Sequence, residues 1–111
     1  MSEEMVTNVL QMISAAGTAR TKYIEAIKAA KVMEFDRAEA LVNEGGECFA
    51  MAHEVHADFL SQASADLMAE GGDSGVNLIL VHAEDQMMCA ETFRLVAEEF
   101  MDVYKKVQSF G

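Results

Sequence analysis

At 111 residues the chain is one domain's worth, with room for a modest core and no more. Half of it is apolar (51%), which excludes disorder despite the charge, and the absence of proline with nine methionines favours helix throughout. A net charge of −11 argues against nucleic acid and anionic lipid surfaces, both of which it would repel.

The first helix is expected to open at Ser2, an N-cap residue followed by Glu3 and Glu4 in the first turn. Met5, Val9, Met12, Ile13, Ala16, Tyr23 (or Ala19), Ile24 and Ile27 then keep a 3.6-residue period to about Ala30. Gly17 interrupts this run, which suggests close packing or a kink. Lys31 to Asp36 reads as a short connection, with Asp36 or a neighbour opening the second helix. So short a link forces the two helices antiparallel.

The second helix is expected from about Phe35 to Met68. Ala38, Leu41, Val42, Cys48, Phe49, Ala52, Val55, Phe59 and Leu60 form one broad apolar stripe along it. Gly45-Gly46 in its middle is a weak point, worth roughly 1 kcal/mol per glycine relative to Ala. The break that ends this helix is Glu70-Gly71-Gly72-Asp73-Ser74-Gly75, a loop by composition. A third helix follows from about Val76 to Gln108. The whole chain, 1–111, therefore reads as a single all-α domain, an antiparallel bundle of three helices.

The third helix is unlike the other two. With His82 as the reference direction, Leu78, Ile79, Asp85, Gln86, Cys89, Phe93, Val96, Phe100, Val103, Tyr104 and Val107 all fall within about 60° of it. His82 and Asp85 thus lie in a stripe that is otherwise apolar. Leu80, Val81, Met87 and Met88 point other ways and are apolar too. A helix apolar nearly all round is covered on more than one side, which points to self-association.

From spacing alone, His82 is either a core histidine bonded to a carbonyl or to Asp85, or a working residue. His53 and His56 could chelate a metal or do nothing. His53-Glu54-Val55-His56 is one residue short of HExxH, and Ile79 stands where a di-iron Glu-x-x-His unit would need Glu. Cys48 and Cys89 lack CxxC or metal spacing, consistent with a reducing compartment. No apolar run reaches the ~18–20 residues that span a bilayer, and Met1-Ser2-Glu3-Glu4 does not resemble a signal peptide. Cytoplasm is the expected location.

Val76-Asn77-Leu78-Ile79-Leu80-Val81-His82-Ala83-Glu84-Asp85-Gln86-Met87-Met88 resembles a known motif. It is similar to the active-site helix of IIA components of the lactose and N,N′-diacetylchitobiose (cellobiose) class of the bacterial phosphoenolpyruvate-dependent sugar phosphotransferase system. That family typically reads Val-His-Ala-Gln-Asp-His-Leu-Met there. Ala16 to Arg20 with Glu25 to Ala30 resembles the family's first helix, and Phe35 to Ala40 with Ala52-His53 its second. The likeness implies a homotrimer of three-helix subunits. It further implies a phosphoryl carrier that takes phosphate from phospho-HPr on His82. The phosphate would pass to a cysteine of a cognate IIB component during uptake of a β-linked disaccharide. Asp85 corresponds to the family's metal-linked aspartate, implying a divalent cation such as Mg²⁺ at the trimer axis; no organic cofactor is implied. Departures from the pattern stand at Glu84 (Gln in the family), Gln86 (often His) and His56 (often Gln). Two other readings stay open: a non-catalytic helical oligomer or regulator, and a metal-binding bundle using His53, His56, His82 and Asp85.

Overall fold

The computed structural model describes residues 3–68 and 78–111. Three helices run α1 Glu3–Lys31, α2 Phe35–Met68 and α3 Leu78–Phe110 in a rod 65 × 20 × 18 Å. The expected bounds of α2 hold, and α3 runs two residues past the expected Gln108. Ser2, the glycine-rich stretch from Glu70 to Gly75 and the expected start at Val76 lie outside the described residues.

On α1 the buried residues Val9, Met12, Ala16, Ala19, Tyr23, Ala26 and Ala30 step alternately by three and four, the spacing of a helix packed along its length. Most of them are alanines, which let the neighbouring helices approach closely. Ile24 and Ile27, expected inside, are only partly buried because Ala26 and Ala29 occupy the inner row instead.

The α1–α2 turn satisfies the end of α1 with backbone alone. Met33 N–H donates to the Ala30 carbonyl (3.0 Å) and Glu34 N–H to that of Ala29 (2.9 Å), the paired bonds of a Schellman motif. Met33 takes the left-handed conformation (φ 65°) usually given to glycine there. The Glu34 carbonyl then accepts from Ala38 N–H at 3.0 Å, so Glu34 rather than Asp36 stands at the N-cap position of α2.

Close packing on a glycine occurs at Gly45, not at Gly17, where an added Cβ would meet nothing within 4 Å. A Cβ at Gly45 would lie 2.6 Å from Tyr23 Cε1. The tyrosine ring of α1 is fully buried against that backbone. Burial pushes the Tyr23 phenol pKa up, against the opposing pull of Arg94. The Arg94 guanidinium lies beside the next residue, Gly46. The glycine pair is thus the place where both other helices come against α2.

Candidate functional site

On α3 the row turned into the bundle is Leu80, Ala83, Met87, Ala90, Ala97 and Met101, in steps of three and four with one step of seven across the exposed Arg94. Its centre lies roughly 110° around the helix from His82. The stripe that holds His82 therefore faces out. Leu78 is 85% exposed, and Ile79, Val96, Phe100, Val103 and Val107 are exposed along the same side. Phe93 and Cys89 are half-buried between them, and the Phe100 and Tyr104 rings stack at 5.9 Å. A shallow groove of about 280 Å³ runs along Leu95, Val96, Glu99, Phe100 and Val103.

His82 and Asp85 are both exposed near the start of this face. The reading of His82 as a core histidine bonded to a carbonyl or to Asp85 is not borne out within the subunit, because both side chains are exposed. No hydrogen bond or ion pair with a described residue holds the His82 ring. An exposed imidazole with a free ring nitrogen is a nucleophile near neutral pH, so the position suits group transfer to and from a docking partner. Asp85 stands one turn along the same face.

The other two histidines are on α2. His53 is exposed, with its ring 6.3 Å from that of Phe49. His56 is mostly buried, and its Nε2 lies 2.9 Å from Glu84 Oε1. Among the described residues no three metal-ligating side chains gather, so His53, His56, His82 and Asp85 do not form a common site within one subunit. The His56–Glu84 contact was missed from the sequence: 28 residues separate the partners, and no local pattern joins them. It directs Glu84 toward α2, about 160° around α3 from His82.

A family model for the lactose/cellobiose-specific IIA subunit of the phosphotransferase system matches residues 7–105, all three helices included. The chain belongs to that family. The lactose-specific EIIA component of Staphylococcus epidermidis is 35% identical over 96 residues, covering 86% of this chain and 88% of its own. The crystal structure of the cellobiose-specific enzyme IIA from Bacillus anthracis superposes with a TM-score of 0.86 at 30% identity, covering 100% of this chain and 97% of that one. IIA(Chitobiose), solved in complex with HPr from the N,N′-diacetylchitobiose branch of the Escherichia coli system, gives 0.81 at 27% identity, covering 96% and 99%. As a IIA subunit the chain is a phosphotransferase component, a phosphoryl carrier in sugar uptake. No helix among the described residues is long and apolar enough to cross a membrane.

Proposed function

We propose that His82 is the residue that carries the phosphoryl group, taking it from phospho-HPr and passing it to a cysteine of a cognate IIB component during uptake of a β-linked disaccharide. The observation that carries this reading is the placement of His82, exposed near the N-terminal end of α3 within the family match. In the first step a ring nitrogen attacks phosphorus. A nitrogen–phosphorus bond forms as the bond to the donor breaks, and the electron pair leaves with HPr. In the second step the IIB thiolate attacks phosphorus, a sulfur–phosphorus bond forms as the nitrogen–phosphorus bond breaks, and the electron pair leaves with the regenerated imidazole. Little covalent chemistry is asked of the protein beyond holding the ring and admitting its partners. The cytoplasmic side of the membrane is where both partners would meet it. Incubation with phosphoenolpyruvate, the general enzymes of the system and this chain should leave one acid-labile phosphate, read by mass spectrometry. His82→Gln should abolish it, and label retained in that variant would overturn the assignment.

The outward stripe of α3 supports a homotrimer in which this face is shared among three copies. Among the described residues no single subunit gathers three metal-ligating side chains around Asp85, so a site for Mg²⁺ needs the carboxylates of several copies. Carboxylates brought to ~4 Å of one another repel by about 4 kcal/mol per pair at an effective dielectric near 20, and an ion with oxygen ligands offsets that repulsion. Sedimentation should show the wild-type trimer weakened by chelator at pH 8. Asp85→Leu, apolar like the rest of its stripe, should remain associated with or without chelator. A metal-free wild-type trimer indifferent to chelator would remove the cation from the assembly.

A further inference from the structure

The first turns of α3 do not choose their own rotation. Between Leu78 and Met88 apolar side chains point in every direction, with Leu80 and Met87 buried, and Leu78, Ile79, Val81 and Met88 exposed. Turning the helix forward by one residue would bring Val81, Glu84, Met88 and Glu91 inward, and the two carboxylates forbid it. Turning it back by one residue is a closer competitor. That rotation would bury Ile79, His82, Gln86 and Cys89, and farther along Phe93, Val96 and Phe100, exposing Ala83, Ala90 and Ala97 together with Leu80, Met87 and Met101 in exchange. Hydrophobic burial alone therefore does not strongly oppose a state in which His82 is hidden.

One polar contact does distinguish the two. His56 lies on α2 between the buried residues Ala52 and Phe59, and its side chain is 16% exposed, so packing fixes the ring. Its Nε2 meets Glu84 Oε1 at 2.9 Å, and either the Nε2–H tautomer or the charged ring donates to that carboxylate. A backward turn of α3 would carry Glu84 about 100° away from this partner. Polar pairs that select one register among near-equal apolar packings are well attested.

We infer that His56 is a positioning residue for phosphoryl transfer: by hydrogen-bonding Glu84 it sets the rotation of the first turns of α3 and so keeps His82 on the outer face. The role in transfer rests on the reading of His82 as the acceptor; the rotation itself does not. The test compares wild type with His56→Leu, which removes the donor, and His56→Gln, which restores an N–H donor. Two readouts are taken after circular dichroism has shown that helicity is kept. The first is the rate of diethyl pyrocarbonate modification of His82 relative to exposed His53 on the same chain, followed by mass spectrometry. The second is kcat/KM for acceptance from phospho-HPr. His56→Leu should slow both by roughly tenfold, as expected when the competent state falls to a minority, and His56→Gln should recover most of each. An unchanged His82-to-His53 ratio in His56→Leu overturns the inference, as does an equal loss in His56→Gln. A wild-type chain that takes no phosphate, while His56→Leu still shields His82, overturns the acceptor reading and leaves the rotational role standing.

Discussion

From Cys89 onward the two long faces of α3 differ less in polarity than in side-chain size. The inner row is built on Ala83, Ala90 and Ala97, with Leu80, Met87 and Met101 between them. The outer row carries Phe93, Val96, Phe100, Val103 and Val107. A reading by hydrophobicity alone would put the larger residues inside. The structure reverses this because α1 is also lined with alanine, and two alanine-lined helices pack at short range, where contact is dense despite the small side chains. The bulky residues are left for a surface that meets another molecule.

That contrast can be broken from the outside first. Phe100→Glu places a carboxylate in the outer stripe once per copy, three times in a trimer. Association should weaken by at least about a hundredfold, since each buried unpaired charge opposes the interface. Helicity at low concentration should persist, because Phe100 lies outside the subunit core. Sedimentation equilibrium beside circular dichroism checks both parts, and a trimer of undiminished strength would refute the outer face as an interface. A neighbouring pair of methionines tests the inner face with the same chemistry on each side. Met87 is 2% exposed and Met88 is 48% exposed. Met87→Ala should cost about 2–5 kcal/mol in urea unfolding. Met88→Ala should stay within about 0.5 kcal/mol under conditions where the chain is monomeric. Equal losses would mean that the inner and outer faces are wrongly assigned.

The smallest effect is expected away from α3. Met33 holds a left-handed backbone that costs an L residue roughly 1–2 kcal/mol, and glycine relieves it at some expense in unfolded-chain entropy. Met33→Gly should raise stability by up to about 1 kcal/mol and leave association unchanged. A stability loss on thermal unfolding would show that the Met33 side chain, half-buried here, contributes more than the strain costs.

Much of this architecture was legible in advance. The spacing of Ala38, Leu41, Val42, Ala52 and Phe59 defined the inner side of α2, and its bounds at Phe35 and Met68 were readable from the flanking breaks. His82 and Asp85 stood out because polar groups were set into an apolar stripe, and the motif around them resembled a known one. Which face of α3 turned inward was not legible, since the stretch from Leu78 to Met88 offers apolar side chains all round. The contact between His56 and Glu84 and the seating of Tyr23 on Gly45 share a cause for their invisibility. Each joins two helices, and sequence periodicity describes one helix at a time.

The seating of Tyr23 on Gly45 has a mechanical consequence for the length of the chain. A ring lodged where no Cβ stands acts as a detent for sliding. Moving α1 along α2 by one turn, about 5.4 Å, would set the ring against Leu41 or Phe49 instead of bare backbone. The axial offset of the two helices is therefore held at mid-rod and not by the turn at Val32 to Glu34. An extra residue in that turn would be taken up locally as slack. An extra residue between Gly45 and His56 would not, because it swings every later side chain of α2 by about 100° relative to the fixed notch. The permissive and forbidden sites for insertion thus lie barely a dozen residues apart on the same hairpin, divided by one glycine.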